Sequence, residues 1–158
     1  MPTALRVHNL WKSYAAGVVG CSARVWALRA CSFDIAVGER VAIVGARGAG
    51  KSTLLRCIAG EHRMDAGRID VALPIRRCFS HHTDLSDDRA RTSSSALLLL
   101  DDQELPVILR RLHGTMVVAS RDVASVMGLV DRILLLRDGR ISPLTRVAVR
   151  RVAERVVQ

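Results

Sequence analysis

The chain has 158 residues, 49% hydrophobic and 25% charged, with a net charge of +9. That is the size and composition of one globular domain, residues 1–158, able to bury its own core without disulfide or metal staples. An aromatic content of 3% argues against a platform that stacks single-stranded bases, and the longest strongly apolar runs, Ala96–Leu100 and Ile133–Leu136, are far too short to cross a bilayer.

Arg6, His8 and Lys12 interrupt the opening segment, so it does not read as a secretory signal. The four cysteines, Cys21, Cys31, Cys57 and Cys78, contain no C-x-x-C pair and read as reduced, packed residues of a cytoplasmic protein. The basic excess is almost all arginine: of 24 basic residues only Lys12 and Lys51 are lysine. The arginines run along the whole chain, which leaves a general arginine bias and a selected basic surface both open. No specific nucleic-acid partner is expected.

In chain order, Leu5–Leu10 alternates as a strand, and Arg24–Leu28 and Ala30–Ile35 read as two more. Gly38 marks a turn at Val37–Glu39. Arg40–Val44 is a short buried strand. Lys51–Ala59 reads as a helix with Leu54, Leu55 and Ile58 on its apolar face, ended by Gly60. Arg68–Ala72 and Ile75–Phe79 are weak strands, and Ser80–Ser95 is polar without a long apolar period. Ala96–Leu100 is a continuous apolar run of the central-strand type. Gln103–His113 carries a helical stripe, Thr115–Ala119 a strand and Asp122–Leu129 a short helix. Arg132–Arg137 and Arg140–Ser142 flank the Asp138-Gly139 turn as a hairpin. Arg146–Val157 repeats apolar residues at helical spacing beneath an arginine-rich face.

Strands first, then strand–helix alternation, give an α/β fold: a three-layer core on a mostly parallel sheet, with an antiparallel N-terminal β portion. Gly45-Ala46-Arg47-Gly48-Ala49-Gly50-Lys51-Ser52 matches G-x-x-x-x-G-K-[ST], and it sits between a buried strand and a helix, the setting a phosphate-binding P-loop requires. The glycines let the backbone wrap a phosphate with its N–H groups pointing inward, and the helix beginning near Lys51 aims its positive end at the same anion. Lys51 is expected to reach the β- and γ-phosphates and Ser52 to ligate Mg²⁺. Thr53 completes the nucleotide-binding stretch, and the motif implies a nucleoside triphosphate with Mg²⁺.

The apolar run ends in Asp101-Asp102. A strand C-terminus beside a P-loop is where a parallel sheet places ligand-facing groups. Asp101 is expected at the Mg²⁺, directly or through water, and Asp102 next in line to orient the attacking water; either could instead cap the following helix.

Taken together the sequence resembles the ABC transporter ATPase subunits. One block of resemblance is Leu5–Asp70, with LRVHNLWKSY, ALRACSFDIAVGERVAIVGARGAGKSTLLRCIAG and DAGRI; the other is Ala96–Ile141, with ALLLLDD, TMVVASRD and VDRILLLRDGRI. The resemblance implies that Tyr14 stacks on adenine, the alternative being a core or surface tyrosine. It also implies a membrane-embedded transporter subunit as partner, hence a peripheral place at the inner face of the cell membrane.

The departures from that family are specific. Asp101 follows Lys51 by 50 positions, which leaves no room for the family's helical subdomain between Ser80 and Ser95. No Leu-Ser-Gly-Gly-Gln signature occurs; Leu85-Ser86-Asp87-Asp88-Arg89 is either a relic of it or a polar turn. Ser80 falls at the Q-loop glutamine. Asp102 takes the catalytic glutamate's place; the lost methylene withdraws the carboxylate by roughly 1.3 Å, and a misplacement near 1 Å costs on the order of 100-fold. Arg121 takes the switch histidine's place, where it neutralises a γ-phosphate but shuttles no proton. The resemblance therefore implies ATP binding with Lys51, Asp102 and Arg121 as an impaired catalytic set, and hydrolysis that is weak or dependent on an intact ABC ATPase paralogue. A non-catalytic nucleotide-responsive interaction module and a remnant with no nucleotide are the alternatives. His81-His82-x-Asp84 lacks a third ligand cluster and reads as a solvated loop.

Overall fold

A computed structural model of the chain describes residues 1–17, 19–20, 22–79, 96–101 and 105–144. Its elements run β1 (Thr3–Ala15), β2 (Arg24–Ala36), β3 (Arg40–Val44), α1 (Lys51–Ile58), β4 (Ala66–Val71), β5 (Ile75–Phe79), β6 (Leu97–Asp101), α2 (Leu105–Arg111), β7 (Thr115–Ser120), β8 (Arg132–Arg137) and β9 (Arg140–Pro143). They form two sheets. One is three-stranded and antiparallel in the order β2-β1-β4; the other is six-stranded in the order β5-β6-β7-β3-β8-β9. In the second sheet every pairing is parallel except β8 with β9.

The near-continuous apolar sequences of β3, β6 and β7 follow from burial on both faces of this sheet. Val41, Ile43, Leu97, Leu99 and Val117 turn toward Leu5, Leu10, Leu28 and Ile35 of the antiparallel sheet, with Leu54 and Leu55 of α1 in the same core. Their neighbours Ala42, Val44, Leu98, Leu100, Met116 and Val118 turn the other way, onto Leu109, Leu112, Val123 and Val126. The period of two along each strand thus divides one run of residues between two cores and produces the three layers.

Two readings from the sequence change. The expected strands Arg24–Leu28 and Ala30–Ile35 are one strand, β2. Leu10 pairs with Cys31 and Lys12 with Leu28, so Arg29 and Ala30 together oppose Trp11. This is a β-bulge with Ala30 at φ 51, and the extra residue breaks the alternation that sequence reading relies on. The expected helix Asp122–Leu129 is a run of turns. Asp122 and Ser125 engage the local backbone and Ser120 with their side chains: Ser125 Oγ donates to Asp122 O at 2.9 Å, and Ala124 N donates to Asp122 Oδ1 at 2.9 Å. Such bonds compete with helical ones, and Gly128 at φ 79 closes the segment.

The hairpin is as expected, with Asp138 and Gly139 at φ 51 and 73, the conformation a two-residue turn demands. The expected helix over Gln103–His113 is seen as α2, Leu105–Arg111. Ser80–Ser95, the relic-or-turn Leu85–Arg89, the His81-His82 pair and the C-terminal helix Arg146–Val157 lie outside the described residues.

Candidate functional site

β3 lies at the centre of the six-stranded sheet, flanked by β7 and β8. The chain leaves its C-terminal end through Gly45–Gly50 and turns directly into α1. The N-terminus of α1 has no side-chain cap; its N-cap is Gly50 at φ 104, ψ 10. Its first N–H groups therefore lack a side-chain acceptor, and the helix dipole points its positive end at the loop.

The loop is shaped by close approach. A Cβ at Gly45 would run into the Leu136 carbonyl oxygen, and one at Gly50 would lie 2.6 Å from the Ala27 carbonyl oxygen. Gly45 N donates to Ser120 O at 3.2 Å and Ala49 N to Ala46 O at 3.1 Å, which ties the loop to β7 and closes its turn. Gly48, at φ 80, has open space around its Cβ position, so there it is the backbone conformation that calls for glycine.

Lys51 is 9% exposed. Its Nζ donates to Gly45 O at 2.6 Å and to Ala46 O at 2.7 Å, which holds the ammonium against the loop. Burial pushes this ammonium below its ordinary value of 10.5; the Asp101 carboxylate opposes that and the Arg121 guanidinium adds to it. Ser52, on the first turn of α1, donates its hydroxyl to Asp101 Oδ2 at 2.7 Å.

The sheet explains the convergence. β6, β7 and β3 are parallel neighbours, so Asp101 at the end of β6, Arg121 just beyond β7 and the loop beyond β3 share one rim. Arg121 and Arg47 are exposed and Thr53 is half-buried. The structure thus brings Lys51, Ser52, Asp101 and Arg121 together. Asp102 lies outside the described residues.

A cleft of about 840 Å³ follows the loop, lined by Gly45–Thr53, by Tyr14, Val25, Trp26, Ala27 and Arg29 of the antiparallel sheet, and by residues 135–139 around the β8–β9 turn. Tyr14 is 38% exposed and so is not a core side chain. Its hydroxyl lies 3.2 Å from Thr53 Oγ1 and 2.8 Å from His62 Nδ1, and Lys12 Nζ sits 5.1 Å from its ring centre.

Sequence reading missed Val25, Trp26, Arg29 and His62. Val25 was within reach, because Tyr14 and Val25 are direct partners across the β1–β2 ladder, but the register depends on bulges that no local signal marks. Nothing local marks His62, which is 48 positions from Tyr14.

Ser52 and Asp101 offer a hydroxyl and a carboxylate oxygen, the hard donors that magnesium takes, and few protein ligands suffice because the ion keeps waters and phosphate oxygens. No cluster of three or more His, Cys, Asp or Glu occurs among the described residues. Cys31 and Cys57 are free and buried. No helix among the described residues is long and apolar enough to cross a membrane.

Comparison with known proteins agrees with this geometry. The tylosin resistance ATP-binding protein of Streptomyces fradiae is 44% identical over 70 residues, which are 44% of this chain and 11% of that protein. The hypophosphite import ATP-binding protein of Stutzerimonas stutzeri is 43% identical over 70 residues, again 44% of this chain but 18% of the relative. The aliphatic sulfonates import ATP-binding protein of Cupriavidus necator is 29% identical over 226 aligned residues, spanning 96% of this chain and 72% of that protein. That alignment is longer than the chain itself, so it opens gaps in this sequence. The chain therefore spans about a tenth to three-quarters of the length of these relatives.

Among solved structures, an ATP-binding cassette of an ABC transporter superposes with a TM-score of 0.70 at 14% identity, covering 89% of this chain and 90% of that one. A dimeric ATP-binding cassette bound to ADP and Pi gives 0.66 at 17% identity, covering 89% and 99%. At such identities the likeness speaks for the fold. The family model described as ABC transporter matches residues 28–113, more than half of the chain. With the loop, the sheet order and the antiparallel layer in place, the chain belongs to the ABC transporter family and has the fold of its ATP-binding cassettes.

Proposed function

We infer that this chain is an ATP·Mg²⁺-binding subunit of the ABC type whose hydrolysis is weak or depends on a partner. The observation that carries the reading is the Ser52–Asp101 hydrogen bond beside Lys51 and the uncapped N-terminus of α1, all on one rim of the parallel sheet. Gly45, Ala46, Arg47, Gly48, Ala49 and Gly50 wrap the phosphates with backbone N–H groups. Lys51 pairs with the β- and γ-phosphates, and Ser52 and Thr53 follow on the helix. Tyr14 receives the base at the far wall of the cleft.

Ser52 and Asp101 would hold magnesium, which supplies neutralisation of phosphate charge when bound. Arg121 faces the γ-phosphate as a fixed cation, and Asp102 serves as a poor catalytic carboxylate. The whole chain, 1–158, acts as one nucleotide-binding domain without the helical subdomain.

Partners follow from the names of two of these relatives, which are import ATP-binding proteins. A membrane-embedded transporter subunit would hold this domain at the inner face of the cell membrane. An intact ABC ATPase paralogue would lend the signature sequence that this chain lacks.

The test is thermal unfolding with and without ATP·Mg²⁺, in the native chain and in Lys51→Ala. A stabilisation present only in the native chain supports the nucleotide site; none in either removes it. Phosphate release with and without the paralogue then separates the two remaining readings. Release only in its presence supports partner-dependent hydrolysis. Binding with no release in either case gives the second reading, a nucleotide-responsive interaction module, which the replacement of glutamate by Asp102 and of histidine by Arg121 favours.

A further inference from the structure

The end of β1 is fastened residue by residue to the segment that follows α1. Trp11 O accepts from Asp65 N at 2.9 Å. Lys12 Nζ donates to Arg63 O at 2.7 Å. The N–H and hydroxyl of Ser13 both donate to Asp65 Oδ2, each at 2.6 Å. Tyr14 meets His62, hydroxyl to Nδ1 at 2.8 Å, with the two rings edge-on at 75° and centres 6.0 Å apart.

These contacts divide by what they hold. Three of them fix backbone, because each involves a main-chain group of β1 or of residues 63–65. Only the His62 contact reaches the tyrosine side chain from this segment. An exposed aromatic side chain otherwise hops between rotamers on a ps–ns scale, and freezing it when a ligand arrives costs affinity. A ring already held needs no such ordering.

We propose that His62 is a positioning residue for nucleotide binding: its Nδ1 accepts the Tyr14 hydroxyl proton and keeps the ring in the orientation on which a nucleotide base docks. This rests on the reading of Tyr14 as the base-receiving residue. For Tyr14 to donate to Nδ1, the imidazole carries its proton on Nε2. The tyrosine oxygen then accepts from the Thr53 hydroxyl 3.2 Å away, so a directed chain runs from α1 through Tyr14 to His62. The base site is thereby tied to the same helix that begins at the phosphate loop, and His62 acts on nucleotides while a ligand that has phosphates and no base escapes it.

The experiment compares ATP·Mg²⁺ with inorganic tripolyphosphate·Mg²⁺ by calorimetry, in the native chain and in His62→Ala, Tyr14→Phe, the double variant and Tyr14→Ala. His62→Ala and Tyr14→Phe should each weaken ATP by about fivefold, the scale of one net hydrogen bond, and leave tripolyphosphate unchanged. The double variant should lose no more than Tyr14→Phe alone, because that change already removes the bond that His62→Ala breaks. Tyr14→Ala should weaken ATP further.

Equal losses for ATP and tripolyphosphate would show a merely structural role and overturn the proposal. So would an unchanged ATP affinity in Tyr14→Phe and His62→Ala while Tyr14→Ala still weakens it; base docking would then stand without His62. If Tyr14→Ala itself leaves ATP binding intact, the base-docking reading falls and takes this inference with it. Tyr14→Phe adds no volume and keeps the ring, so it preserves the comparison where His62→Ala disturbs folding.

Discussion

Ser52 Oγ donates to Asp101 Oδ2 at 2.7 Å, joining the first turn of α1 to the last residue of β6. The two residues are 49 positions apart, and only the parallel order β6-β7-β3 brings them to one rim. Magnesium binding should therefore depend on both. Ser52→Ala and Asp101→Asn are each expected to erase the difference between ATP affinities measured with and without Mg²⁺, in titrations followed by calorimetry. A surviving Mg²⁺ enhancement in both would place the ion elsewhere.

Lys51→Ala should abolish stabilisation by nucleotide. At a hundred times its dissociation constant ATP·Mg²⁺ adds about 2.7 kcal/mol to the native chain, a rise of several degrees in Tm for a domain of this size. The melting curve of the variant should be the same with and without nucleotide.

The same lysine sets an alkaline limit on binding. Burial lowers its native value below 10.5, so the free protein loses this charge earlier than an exposed lysine would. ATP affinity should fall as pH rises through that lowered value, and Lys51→Arg, which stays charged, should flatten the decline. Calorimetric titration across pH 7 to 10.5 measures it. An affinity independent of pH over this range would remove Lys51 from phosphate contact.

Asp65 works in the opposite direction. The Ser13 hydroxyl and the Ser13 backbone N–H hold its carboxyl below the ordinary 3.8. The unfolded chain then binds the more protons as pH falls toward that value, so stability rises with pH there. The contribution is complete above 3.8 and drains away as pH drops through the lowered native value. Denaturant unfolding of Asp65→Asn should lack this acid loss.

Gly45→Ala tests the loop without touching any charge. Its Cβ would run into the Leu136 carbonyl oxygen, a rigid backbone atom, and overpacking of this kind costs about 1–3 kcal/mol. The Tm should fall in the absence of nucleotide. Gly48→Ala meets open space and should cost only the strain of its positive φ.

Much of this was legible beforehand, and the limits have physical causes. β3, the P-loop, β6 and the β8–β9 turn are signalled by residues that neighbour one another in sequence: a buried run, then glycines and lysine, or an apolar run ending in acid. β2 misled because a single extra residue at Ala30 shifts the alternation. Asp122–Leu129 misled because an apolar stripe of Val123 and Val126 buries equally well on turns, once Asp122 and Ser125 have satisfied the local backbone. The wall of the cleft facing the P-loop was invisible for a third reason. Trp26 and Arg29 reach it only through sheet pairing, His62 meets Tyr14 only through the segment after α1, and no window of sequence contains those partners.

The Ala27 carbonyl oxygen has a glycine on two sides. A Cβ at Gly50 would stand 2.6 Å from it and one at Gly139 2.9 Å, so the strand, the P-loop and the distal hairpin close on a single atom. These glycines share one clearance: moving the strand aside to admit a side chain at one turns it against a different neighbour at the other. In a library of randomly mutated descendants selected only for folding, neither position should drift on its own. Lineages that lose one glycine should acquire compensating changes along β2, far in sequence from the nucleotide loop whose shape they would be rescuing.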